Sequence, residues 1–136
     1  LTLRPFSPDQ AVADAARAAH LDDALVSGED FDATAVGAYL DRPSYSVARR
    51  TWIRFFVHDD LEARRRAELA TKATVCAAAA LATRLHRPAG LITQAAPRGP
   101  GVERVVLDQE VALYRVTAAA RAGCPPGPPV PPPPGA

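Results

Sequence analysis

Residues 61–86 contain neither glycine nor proline and end in TVCAAAALATRLH. Alanine has the highest helix propensity of any residue, and a long stretch without breakers compounds it. The sequence therefore predicts one long helix over 61–86. Asp59 or Asp60 supplies its cap, and Arg84, His86 and Arg87 stand at its negative end. Pro88 and Gly90 close it. Small apolar residues run nearly all the way round from Cys76 to Ala82, and a helix apolar on every side belongs at the centre of a fold. The expected architecture is all-α: a compact bundle of four to five helices around this alanine-rich rod, with an extended proline-rich tail.

The neighbouring segments can be read to fit that bundle. FSPDQAVADAARAAHLDDAL opens with Ser7 as a cap, Pro8 at the first helical position and Gln10 three residues after the cap. Val12, Ala15, Ala16 and Ala19 line one face, with Leu21 and Leu25 farther along. A second short helix follows, with Asp30 as cap and Phe31, Ala35, Val36, Tyr39 and Leu40 on one side; Gly37 weakens it and Pro43 ends it. TWIRFFVH is rich in strand formers, yet Tyr45, Ala48, Trp52, Phe55 and Phe56 also recur at helical spacing. No matching strand lies nearby, and a lone strand leaves its backbone unsatisfied, so 45–57 is read as helix. Residues 91–101 read as a loop. Residues 102–122 suit either a helix or a hairpin, and DQE is a poor tight turn, so helix is preferred there too.

The chain has 29 Ala and 15 Arg but one Lys and no Asn, a skew that follows GC-rich codons. It contains no Met, not even at position 1, which favours a piece of a longer protein. One domain, 1–123, is expected, followed by the tail 124–136 as a linker without fixed structure. Net charge is +1 overall but divides as −4 over residues 1–60 and +5 over 61–136. Cys76 reads as a small buried thiol and Cys124 as exposed, with one pair as weak evidence for oxidation, so a reduced, soluble, intracellular setting is expected. No apolar run approaches the roughly 20 residues of a membrane span.

Enzyme chemistry has no positive signal. His20, His58 and His86 sit near helix boundaries, where capping explains them and their neighbouring aspartates. No nucleophile elbow, phosphate loop or metal-ligand spacing is present, so no catalytic residue, cofactor or metal is expected. The arginine–aromatic stretch is the better candidate. Tyr45, Arg49, Arg50, Trp52 and Arg54, continued by Arg64, Arg65 and Arg66, resemble binding hot spots in composition. The tail adds PxxP spacings over Pro125, Pro128 and Pro131, which suit a polyproline ligand or a semi-rigid spacer. The function expected is a non-catalytic helical module that binds another protein. A nucleic-acid-binding regulator using the 45–66 arginines ranks second. An assembly (tegument-like) protein of a GC-rich DNA virus ranks third.

Overall fold

The middle of the molecule is a strand, not the alanine-rich helix. The computed structural model describes residues 8–55, 71–127 and 129–135. In chain order these form α1 (Pro8–Ala18), β1 (Leu25–Ser27), α2 (Asp30–Leu40), β2 (Ser44–Ser46), β3 (Thr51–Ile53), α3 (Thr71–Leu85), β4 (Ala89–Thr93), β5 (Val102–Asp108) and β6 (Val111–Val116), with a 3-10 turn at Ala118–Gly123. The strands make one mixed sheet in the order β3-β2-β1-β4-β6-β5. β1 pairs in parallel with both β2 and β4, while β3, β6 and β5 join antiparallel. The fold is therefore α/β, and the expectation of an all-α helical bundle is overturned.

Alternation along the strands explains the layering, because successive side chains point to opposite faces. Leu25, Ile92, Val111 and Leu113 pack with Val12, Ala16 and Val36 of α1 and α2. Val26, Leu91, Ala112, Tyr114 and Val116 pack with Ala78, Ala79, Leu81 and Ala82 of α3. Each fully buried Leu, Ile or Val side chain stabilises the fold by roughly 1.5–3 kcal/mol. Both faces of β1 and β4 are covered, so these strands read as plain apolar runs rather than alternating ones.

The expected spine is a covering layer. α3 buries Thr74, Ala78, Ala79, Leu81 and Ala82 on the sheet, while Lys72, Ala73 and Arg84 are exposed. Its alanines let the helix lie close to the strands instead of gathering helices about it. Residues 61–70 of the expected rod, with Arg64, Arg65 and Arg66, fall outside the described residues.

Other expectations fail for local reasons. Residues 44–53 form a strand, a turn and a strand: Arg50 takes a positive φ of 57° and its N–H donates to Ser46 O at 2.7 Å. Residues 102–116 form the hairpin β5–β6, not a helix. Its loop is Gln109–Glu110, and Gln109 supplies the positive φ (57°) that glycine ordinarily provides at such a turn. β4 replaces part of the expected loop after Pro88. Its Gly90 is a packing glycine, since a Cβ there would approach Leu25, Leu113 and Leu21 within 3.3 Å.

Helix stops follow one pattern. α1 is described from Pro8, the expected Ser7 cap lying outside the described residues, and it ends at Ala18 instead of running on to Leu25. His20 and Leu21 donate to Arg17 O and Ala16 O, the paired bonds of a Schellman motif. The same motif ends α2 through Asp41 and Arg42, and ends α3 through His86 and Arg87. His20, Asp41 and His86 all take φ between 53° and 59° there. Gly37 is needed at the α2 stop, where a Cβ would lie 2.5 Å from Arg42 O.

Candidate functional site

The β2–β3 ladder places Tyr45 directly opposite Trp52, on the sheet face that α3 covers. Their rings meet edge to face with centroids 5.7 Å apart, a geometry that adds roughly 0.5–1.5 kcal/mol beyond burial. Burial pushes the Tyr45 phenol above its ordinary value, opposed by the Arg50 charge.

The proline tail, expected to be a structureless linker, lies against this pair. After β6 the 3-10 turn packs on α3, with Thr117 N–H donating to Gly101 O at 2.9 Å. Gly101 is required there: its φ is +76° and a Cβ would sit 2.6 Å from Ala120 N. Cys124 is thereby brought beside α3, and it forms a disulfide with Cys76, Cα atoms 5.7 Å apart. The two cysteines expected as a buried and an exposed thiol are thus one cross-link. Beyond it, Trp52 Nε1–H donates to Pro131 O at 2.9 Å. Val130 is 5% exposed and joins the apolar cluster of Tyr45, Ala78 and Ala82, with Trp52 packed against it. Seven residues of extended tail reach about 22 Å, enough for the roughly 19 Å of four strand spacings between β6 and β3.

The tail's inward residues share one period. Cys124 and Pro133 are half-buried and Val130 is buried, each a multiple of three residues from the others, while Gly127, at the remaining position of that register, is exposed. Pro125, Pro129, Pro131 and Pro132 are exposed; Pro128 lies outside the described residues. Three residues per turn is the period of polyproline II.

The arginines divide. Arg49 turns inward, its Nε 3.8 Å from Asp30 Oδ2. Arg54 lies on the surface, 3.3 Å from Asp41, and Arg50 is exposed. Phe55 is 80% exposed beside them. Asp30 is not the α2 cap, a position Glu29 holds. Its carboxylate, 4% exposed, instead accepts from Ser27 Oγ at 2.6 Å and Ser46 Oγ at 2.8 Å. This knot ties the carboxyl ends of β1 and β2 to the turn that leads into β3, the strand of Trp52.

A cavity of about 340 Å³ opens where α1 and α2 begin above the carboxyl end of β4. Asp9, Asp32, Gln94 and Glu110 line it, and Gln94 Nε2 donates to Asp32 at 3.0 Å. Open α/β sheets place ligands at such strand ends. Among the described residues no three His, Cys, Asp or Glu side chains converge as metal ligands. Burial pushes the Asp9 carboxyl above its ordinary value, and Asp32 adds to the rise. A carboxyl that holds its proton more tightly when folded stabilises the fold below its unfolded value of 3.8, and this is lost as pH rises through the folded value. Asp9→Asn is therefore expected to raise the Tm at neutral pH, with the gain vanishing below 3.8 in melts followed by circular dichroism.

No known protein family, curated protein or solved structure matches this chain. Among the described residues no helix is long and apolar enough to cross a membrane. The chemistry of the two sites is thus the ground for any functional reading. Of the residues singled out from sequence, Tyr45, Trp52 and Pro131 come together, whereas Arg49 joins the buried knot and Arg54 pairs with Asp41. Val130 was missed, and the Cys76–Cys124 pair, considered from sequence, was set aside for a reduced setting. The period-three spacing of Cys124, Val130 and Pro133 was the available signal.

Proposed function

We propose that this chain is a non-catalytic protein–protein interaction module whose Tyr45–Trp52 face grips proline-rich extended segments, its own tail among them. The observation that carries this reading is the indole N–H of Trp52 on Pro131 O, beside the buried Val130. Aromatic side chains with a free donor are what polyproline-reading grooves use, because a proline-rich ligand offers carbonyls and no N–H groups. The partner is another protein carrying such a segment, which displaces the tail. The Cys76–Cys124 bond supports an oxidising compartment over the expected intracellular one, since reducing compartments keep thiols apart.

Trp52 is the single tryptophan, so its emission reports the face directly. Val130→Asp is expected to undock the tail, shifting Trp52 emission to the red and raising its quenching by acrylamide at least twofold, with the far-ultraviolet circular dichroism unchanged. Unchanged emission and quenching would sink the reading. Binding of a proline-rich partner that is insensitive to salt separates it from a nucleic-acid function, which weakens steeply as salt rises.

A further inference from the structure

Resting on the Tyr45–Trp52 reading, we infer that the face selects its ligands by the pattern aliphatic–Pro–x–Pro, matched here by Val130-Pro131-Pro132-Pro133, with the carbonyl after the aliphatic residue as the polar anchor.

Four observations set this pattern. Val130 alone of the described tail residues is buried, at 5% exposure, and it belongs to the same cluster as Tyr45. The first position is therefore read by shape. The packed surroundings suit valine, while aspartate or glycine there forfeits the contact. Pro131 is exposed, so its ring is not gripped. Its two contributions are the carbonyl that accepts from Trp52 at 2.9 Å and the restriction a proline places on the residue before it, which holds Val130 extended. Pro132 is exposed and fills the unread position. Pro133 is half-buried and stands three residues on, the spacing of one polyproline II turn. Known proline-reading grooves place prolines between aromatic rings; this face gives its buried position to a branched aliphatic side chain.

The full chain carrying Val130→Asp frees the face and serves as receptor, with Val130→Gly in reserve if the aspartate variant fails to fold. Synthetic blocked peptides of residues 125–135 are titrated to about 1 mM, with Trp52 emission as the signal. The parent peptide is expected to restore the blue-shifted, protected emission of the unaltered chain. In the peptide, Val130→Ala is expected to weaken binding about tenfold, two carbons of buried surface being lost. Pro133→Ala is expected to weaken it about threefold, and Pro132→Ala to change it less than twofold. A series in which all four peptides bind alike overturns the pattern while leaving proline recognition standing. No binding by the parent peptide, in a receptor whose emission shows the tail released, makes the tail an internal strut and overturns the ligand inference. Emission that never responds to Val130→Asp removes the underlying reading as well.

Discussion

Asp30→Ala is expected to destabilise the chain by about 2–6 kcal/mol, at roughly 1–3 kcal/mol for each of two buried hydroxyls that lose their acceptor. The Asp30 carboxylate satisfies the hydroxyls of Ser27 and Ser46 and faces the Arg49 guanidinium, itself mostly buried. Removing it leaves the Ser27 and Ser46 hydroxyl donors without their buried acceptor, and each carries its own desolvation cost. Ser46 also accepts from Arg49 N–H at 3.1 Å in the turn before β3, so the loss reaches Trp52. Urea unfolding followed by circular dichroism measures the change, and Trp52 emission in the absence of urea should shift with it. A change under about 1 kcal/mol would mean that the knot is solvated rather than buried.

Replacing both Cys76 and Cys124 by serine is expected to cost about 4 kcal/mol, from the entropy of closing a loop across their separation of 48 residues. Reduction by a dithiol should do the same to the unaltered chain. The bond also holds the first anchor of the tail, so Val130 would dock from a longer free segment and at a lower effective concentration. Acrylamide quenching of Trp52 should rise with reduction, by less than for Val130→Asp. Equal denaturation midpoints with and without reductant would show that the cross-link adds nothing to the folded state.

The helices were legible in the sequence where local signals act alone. Pro8–Ala18 is helical as expected, and so is Asp30–Leu40. Half of the sheet was hidden by the shortness of its strands. LVS, SYS and TWI are three-residue strands, too brief to display alternation, and β1 and β4 are apolar on both sides. Tyr45 and Trp52 stand seven residues apart, which is two turns of helix and equally the spacing of opposed residues in this hairpin. The pattern was real and its period undecidable. Alanine misled most: in α3 it marks close contact with strands, where the sequence suggested a centre. Trp52 and Tyr45 were chosen for their residue types, and that choice met the tail. Val130 escaped notice because it is one valine among prolines, and its role depends on a partner strand remote in sequence.

The pairing of β1 has a kinetic consequence. Val26 pairs with Tyr45 on one side and Leu91 on the other, so the central strand takes its second neighbour from a segment far along the sequence. Loop closure of that size must precede the contacts that reward it. Refolding should therefore run in milliseconds to seconds rather than microseconds, with helices forming early and the sheet assembling in one late, concerted step.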